Sequence, residues 1–165
     1  MWSSEPRRRF LARLGGLAVL GTVSACGFQP VYGPGGAGTR LQGRVRVAEP
    51  KTRDDYAFLR RLTERLGPDE SPDFDLAYTL RIASVGQGIT PDEVTTRYSL
   101  NGTASFTLTE RATGAVVAQG EVSNFSSHSA VGSVIATTAA EQDARDRLAV
   151  MLADQVVTRL LAMVP

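Results

Sequence analysis

The most constraining feature of this sequence is the alternation of apolar and polar residues across positions 96–108. Successive side chains of a β-strand point to opposite faces, so this pattern predicts a strand with one buried and one solvated face. Such strands are typical of antiparallel sheets. The predicted apolar face carries Tyr98, Leu100, Ala104, Phe106 and Leu108, and the predicted polar face carries Arg97, Ser99, Asn101, Thr103, Ser105 and Thr107.

Three further segments supply strands to the same sheet. Residues 74–82 alternate in the same way. Residues 116–125 follow a turn-like Arg-Ala-Thr-Gly sequence at 111–114, which predicts a hairpin with the preceding strand. Residues 44–47 form a short fourth strand with two valines on one face.

Two segments have helical periodicity instead. Residues 54–66 place apolar side chains on one stripe and end at a Gly-Pro pair, and residues 138–164 carry a longer stripe. A capping box from Thr138 to Glu141 is predicted to begin the second helix. The order is therefore β-α-β-β-β-α over residues 44–165. It predicts an α+β domain, with a mainly antiparallel four-stranded sheet and two helices packed on one face.

The first 25 residues carry the three parts of an export signal. Four arginines precede ten mostly apolar residues at 14–23, which would span about 15 Å as a helix, half of a bilayer core. The sequence Val-Ser-Ala-Cys at 23–26 then resembles the lipobox of bacterial lipoproteins. The resemblance implies a signal peptide over residues 1–25 and a membrane anchor of diacylglycerol and N-acyl lipid on Cys26. The arginines fit both the general and the twin-arginine export route.

A glycine-rich segment follows the cysteine. Residues 27–43 contain six glycines and two prolines, which is too little apolar surface to order a chain. We therefore predict a lipidated tether over residues 26–43. Among bacterial lipoproteins, an aspartate directly after the cysteine retains the protein in the inner membrane, and Gly27 stands at that position. This resemblance implies anchoring at the periplasmic face of the outer membrane.

Charge and residue counts argue against several classes of function. The chain has 18 basic and 17 acidic residues, of which four basic residues and one acidic residue precede Cys26. The remainder has 14 basic and 16 acidic residues, a net charge of −2. Nucleic-acid binding needs a clustered positive excess, so we expect none. The one cysteine permits no internal disulfide. The one histidine, His128, lacks an identifiable orienting partner, so we interpret it as a loop residue. We expect no enzyme active site, no metal site and no cofactor beyond the lipid.

Three segments of the mature chain carry a resemblance when they are taken together. The first is the start at residues 26–33, Cys-Gly-Phe-Gln-Pro-Val-Tyr-Gly, and the second is Thr-Arg-Tyr-Ser-Leu at 96–100. The third is the closing helix, with Ala144, Arg-Leu-Ala at 147–149 and Leu-Ala-Asp-Gln at 152–155 before a final Arg-Leu pair. In this order they resemble the LPS-assembly lipoprotein family, LptE.

The resemblance implies a non-enzymatic protein that assembles and plugs a large outer-membrane β-barrel, LptD, which exports lipopolysaccharide to the outer leaflet. A hydroxyl-rich sheet face is compatible with this role, because the lumen of a large barrel is polar. The family also implies contact between lipopolysaccharide and basic residues near the sheet. Here the candidates are Arg81, Arg97 and Arg111, of which Arg97 aligns best. The alternative is an auxiliary outer-membrane lipoprotein of another lipid-transport or secretion system, which could share the anchor and the α+β domain.

Overall fold

The computed structural model describes residues 30–164 as an α+β domain with one four-stranded sheet and three helices. The predicted fold class is confirmed, with one helix more than expected. In that part of the chain, none of the helices has the length and apolar character needed to cross a bilayer. In chain order the elements are α1 (Ala37–Leu41), β1 (Val45–Val47), α2 (Arg53–Leu66), β2 (Phe74–Ile89), β3 (Thr95–Glu110), β4 (Val116–Ser129) and α3 (Val134–Met163).

The strands lie in the order β1-β2-β3-β4, which is also their order in the chain. The pairs β2–β3 and β3–β4 are antiparallel, whereas β1 runs parallel to β2, with Val45 opposite Phe74. The sheet is therefore mixed, although mainly antiparallel as predicted. The parallel pair arises because α2 separates β1 from β2, and a helical crossover returns the chain in the same direction.

Helices α2 and α3 cover one face of the sheet and enclose the core. The rings of Phe58 in α2 and Tyr78 in β2 have centroids 4.9 Å apart. A Cβ atom added to Gly102 of β3 would lie 2.8 Å from Leu152 of α3, so this helix packs closely on the middle of the sheet. The largest fully buried side chains are Phe58, Leu41, Leu62, Leu76, Leu100, Leu108, Leu148, Leu152, Leu160, Val156 and Val157.

Helix α2 begins at a reciprocal capping box. The backbone N–H of Asp55 donates to Thr52 Oγ1 at 3.2 Å, and the N–H of Thr52 donates to Asp55 Oδ2 at 2.9 Å. Two backbone donors that a helix start leaves unpaired are thus satisfied. The helix ends at Gly67, whose φ of 80° favours glycine.

Helix α3 begins earlier than the sequence predicted. The backbone N–H of Ala136 donates to Ser133 Oγ at 3.3 Å, so Ser133 caps the helix and Val134 is its first residue. The capping box predicted from Thr138 to Glu141 is therefore wrong. The helix begins five residues sooner because Ser133 offers an equally good cap.

The segment predicted to be a tether contains helix α1. Leu41 of this helix has no exposed surface and belongs to the core, and Ala37 is also buried. These buried side chains pack the short helix against the domain, although the surrounding composition is rich in glycine. The folded body thus includes part of residues 26–43, while the earlier part of that range and the signal peptide lie outside the described residues.

Strand β2 is longer than the segment 74–82 that alternation predicted. It continues to Ile89, and β3 begins at Thr95, so the β2–β3 hairpin projects beyond the core. Residues 83–89 are all exposed. The turn includes Glu93 with φ of 61°, and the backbone N–H of Thr90 donates to the carbonyl of Val94 at 3.0 Å.

Candidate functional site

The side of the sheet away from the helices is an extended polar surface. We call it the outer sheet face, and it comprises the odd-numbered residues in the ranges 75–83 of β2, 97–107 of β3 and 119–125 of β4. Gly102 and Gly120, at even positions, lie beside side chains of α3, which fixes this orientation. The polar face predicted for β3 is thereby confirmed, except that Ser99 is buried. The exposed members of the outer sheet face include Asp75, Ala77, Thr79, Arg81, Arg97, Asn101, Ser105, Gln119, Glu121, Ser123 and Phe125.

Cross-strand rows give the outer sheet face its chemistry. Thr79, Ser105 and Glu121 form one row across three strands, in which Ser105 Oγ donates to Glu121 Oε2 at 2.8 Å. Hydroxyl groups such as these, and the amides of Asn101 and Gln119 on the same face, both donate and accept hydrogen bonds. The surface is therefore suited to a polar partner that offers hydrogen-bond donors, acceptors or both.

One aromatic side chain stands out from this polar surface. Phe125 of β4 is 70% exposed and shares a row with Asn101 and Ala83. An exposed aromatic ring surrounded by polar groups is the kind of residue that anchors protein interfaces. The sequence carried a signal for it, because Phe125 is out of phase with Ala118 and Val122, which face the core.

The three candidate arginines are spread along the sheet. Arg111 contacts Asp75 of β2, and Arg81 lies six residues further along that strand. Arg97 of β3 pairs with Gln87 of β2, which is six residues beyond Arg81. Each interval is roughly 20 Å at about 3.3 Å per residue. The arginines therefore do not converge on one site, and no two of them can share a phosphate group.

Arg111 is engaged in local contacts at one end of the sheet. Its Nε lies 3.4 Å from Asp75 Oδ2, and its Nη1 donates to the carbonyl of Pro72 at 3.1 Å. These contacts join the β3–β4 turn to the start of β2. Arg81 and Arg97 are exposed and form no ion pair with any residue in the range 30–164.

Several exposed apolar side chains lie at the projecting end of the molecule. We call this group the apolar tip, and its members have exposed fractions from 48% to 84%. The hydrogen bond from the N–H of Ala130 to the carbonyl of Thr96, at 2.9 Å, brings the chain after β4 beside the hairpin. Exposed apolar side chains at one end of a domain make that end a candidate interaction surface. The apolar tip comprises Val85, Ile89, Val94, Val131, Val134 and Ile135.

The chain segment nearest Cys26 lies at the opposite end. The N–H of Gly38 donates to the carbonyl of Val31 at 2.9 Å, so residues 30–38 fold against α1. Arg40 of α1 lines a cavity with Glu110 and Arg111 at the β3–β4 turn. Helix α3 runs from the apolar tip to this end, and its 30 residues span about 45 Å.

His128 lies within β4 rather than in a loop, which corrects the interpretation from sequence. It is 8% exposed and stacks on Tyr98 with ring centroids 5.5 Å apart. It lies near the end of the strand, beyond the residues 116–125 that alternation predicted. Residues 126 and 127 are both serine, so apolar and polar residues no longer alternate there. Between residues 30 and 164 there is no cluster of three His, Cys, Asp or Glu side chains that could hold a metal ion. Cys26 lies outside the described residues and stays a prediction.

Comparison with known proteins identifies similar chains. A family model described as LptE, lipopolysaccharide-assembly, matches residues 40–160. A putative lipoprotein from Caulobacter crescentus is similar in structure, with a TM-score of 0.63 and 21% identity, over 76% of this chain and 93% of that one. Rare lipoprotein B from Shewanella oneidensis gives a TM-score of 0.56 at 10% identity, over 72% and 92% of the two chains. A minor lipoprotein from Acinetobacter baumannii gives a TM-score of 0.51 at 17% identity, over 72% of this chain and 89% of that one. At these identities the structures establish a shared fold. No curated protein sequence matches the chain.

Proposed function

The chain belongs to the LptE family of lipopolysaccharide-assembly proteins, and from that premise we propose that it is an outer-membrane lipoprotein that assembles and plugs an LptD-like β-barrel. Its role in lipopolysaccharide assembly follows from the family. The barrel partner, the position inside the lumen and the outer-membrane location are our proposal.

The outer sheet face is the observation that carries this proposal. A plug must meet the wall of a barrel whose lumen is polar, so a leucine-rich contact surface would be poorly matched. The outer sheet face instead presents rows of hydroxyl and amide groups, such as Thr79 with Ser105. Phe125 would supply the apolar anchor of that contact, surrounded by polar groups that exclude water.

The positions of the two ends of the domain indicate how it would be oriented relative to the membrane. A lipid on Cys26 would hold the end with α1 close to the membrane surface, because only a few residues separate Cys26 from Pro30. The apolar tip then points away from that surface by about the length of α3, roughly 45 Å. In a barrel, this orientation would direct the apolar tip along the lumen and leave the outer sheet face to meet the polar wall.

Contact with lipopolysaccharide would involve single arginines. Arg81 and Arg97 are exposed on the outer sheet face, and each could pair with one lipid A phosphate. Arg111 is the weakest of the three candidates, since Asp75 and the carbonyl of Pro72 already engage its guanidinium. The separation of the arginines favours brief contacts with passing lipid over a fixed binding site.

Depletion of the chain in its own bacterium tests the proposed role. We expect surface lipopolysaccharide to fall and to recover when the wild-type chain is supplied. A Cys26→Ser variant should fail to restore it, because an unanchored chain is not concentrated at the outer membrane. Normal surface lipopolysaccharide after depletion would instead favour an auxiliary lipoprotein of another transport or secretion system.

The anchor itself is tested by the intact mass of the chain extracted from membranes. The proposal predicts a chain that begins at Cys26 and carries diacylglycerol and an N-acyl group. A free thiol on Cys26, or a retained leader, would contradict it. We propose no catalytic role for this protein, since the family consists of assembly factors.

A further inference from the structure

A polar cavity lies between the helix-facing side of the sheet and the first turns of α3. Its volume is about 360 Å³, which falls within the size range of small-molecule sites. Ser84 and Thr138 are exposed, whereas His128 is buried, so the cavity runs from solvent into the domain. We call it the His128 cavity. Elsewhere this side of the sheet is apolar, as at Leu100 and Phe106.

The lining offers several hydroxyl groups that are not used elsewhere. Those of Ser84, Thr95 and Thr138 form no hydrogen bond with any residue between 30 and 164. Thr137 differs, because its Oγ1 donates to the carbonyl of Val134 at 3.0 Å. Each free hydroxyl can donate one hydrogen bond and accept others, which matches the dual character of alcohol groups on a ligand.

His128, which lies at the buried end of the cavity, has an unsatisfied ring nitrogen. His128 is 8% exposed, its Nδ1 lies 3.3 Å from the carbonyl oxygen of Ser129, and its ring stacks on Tyr98. Its Nε2 is buried and has no hydrogen-bond partner in the described part of the chain. A buried polar atom without a partner costs free energy. Because this nitrogen is buried, a ligand hydroxyl could pair with it only if the ring turned toward the cavity.

The charge of the lining narrows the class of ligand. No lysine or arginine lines the cavity, and the carboxylate of Glu141 does, so a phosphate would be repelled. Glu141 Oε1 already accepts a hydrogen bond from Arg145 Nε at 2.9 Å, which weakens its attraction for a cation. An acyl chain would leave the hydroxyls and the imidazole without partners.

We infer that the His128 cavity binds a neutral ligand rich in hydroxyl groups, of the size of one hexose ring. Ser84, Thr95 and Thr138 exchange hydrogen bonds with its hydroxyls, beside the imidazole of His128. This inference goes beyond the proposed function and does not depend on it, because the cavity belongs to the chain alone.

Titration of the purified full-length chain with free hexoses tests the inference. His128 is the only histidine in the chain, so its imidazole gives a single set of NMR signals. The protein is kept in a zwitterionic detergent without a sugar headgroup, and D-glucose, D-galactose and inorganic phosphate are the probes. We expect a saturable shift of the His128 signals with at least one hexose and none with phosphate.

Two variants and one control make the test specific. Thr138→Val keeps the shape of an exposed side chain but removes its hydroxyl, and Ser84→Ala does the same on β2. Each should weaken hexose binding about fivefold or more. Thr79→Val, on the outer sheet face, should leave it unchanged. The inference is overturned if neither hexose gives a saturable shift, if phosphate gives the same shift, or if both variants bind as the wild type does. No barrel is present in this experiment, so a negative result leaves the proposed function standing.

Discussion

Arg61 of α2 and Asp154 of α3 are joined by two parallel hydrogen bonds. Arg61 Nε donates to Asp154 Oδ1 at 2.9 Å, and Arg61 Nη2 donates to Oδ2 at 3.1 Å. Arg65 adds a third bond to Oδ1 at 2.8 Å. The hydrogen bond to Asp154, followed by that to Glu64, raises the pKa of the Arg61 guanidinium. One half-buried carboxylate therefore clamps the two helices together.

This clamp predicts a difference between two carboxylates of the same helix. Asp154→Asn should lower the Tm of the domain, because it removes the charge that holds Arg61 and Arg65 beside each other. Within residues 30–164, Asp143 pairs only with Arg147, four residues along α3, and both side chains are mostly exposed. Asp143→Asn should therefore change the Tm far less. Thermal unfolding followed by circular dichroism measures both, and equal effects would contradict the interhelical role.

The close packing of α3 on β3 predicts a steric effect at Gly102. A Cβ atom there would lie 2.8 Å from Leu152 and 3.0 Å from Leu148, both fully buried. Gly102→Ala should lower the free energy of unfolding by about 1–3 kcal/mol, since the leucines have little room to move. Ser105→Thr adds a methyl group to the outer sheet face of the same strand and should change it by less than about 0.5 kcal/mol. Denaturant unfolding at constant m-value provides the comparison.

The hydroxyl of Tyr78 predicts a stabilising substitution. This oxygen is buried and has no hydrogen-bond partner within residues 30–164, while the ring packs on Phe58. Tyr78→Phe keeps the ring and removes the unpaired group, so we expect the free energy of unfolding to rise by about 1 kcal/mol. Tyr56→Phe removes an exposed hydroxyl and should have no effect.

The pH dependence of stability at alkaline pH tests the burial of Tyr78 in a second way. Burial, with a smaller effect of Asp55, raises the pKa of Tyr78 from 10.0 to about 12. The unfolded chain therefore loses this proton at lower pH than the folded chain, so stability should decline as the pH rises from about 10 to about 12. The Tyr78→Phe variant should decline less over that range. A decline of the same size in the variant would show that Tyr78 is not responsible.

Much of the fold could be predicted because it rests on periodicity. Burial of one strand face imposes alternation, and this located β3 and its hairpin with β4 to within a few residues. The end of β2 escaped prediction, because residues 83–89 bury neither face and are held by pairing with β3. Helix α1 escaped for a related reason: its place depends on Leu41 reaching a core that only the tertiary structure creates.

The polar character of the candidate site could be predicted from the sequence, but the relative positions of its residues could not. The polar face of β3 was evident from alternation alone. The register of three strands was needed to show that Arg81 and Arg97 lie far apart and that Asp75 engages Arg111. The His128 cavity could not be predicted, because it depends on where the first turns of α3 lie over the sheet.

The outer sheet face predicts a contact residue for the barrel. Phe125→Ala should weaken association with the barrel by roughly tenfold or more, as is usual for a central aromatic anchor. The Tm should barely change, because the ring is 70% exposed. Tyr56→Ala, an exposed aromatic side chain on α2, is the matched control and should leave association intact. If the two variants retain the barrel equally well, the outer sheet face is not the contact surface.

Purification of the lipidated chain from its own membranes in mild detergent tests the proposed function most directly. An LptE-family protein that plugs a barrel should bring down one large outer-membrane β-barrel in equal amount, and the pair should stay together through size-exclusion chromatography. Recovery of inner-membrane transporter or secretion subunits without such a barrel, or of the chain alone, would contradict the proposal.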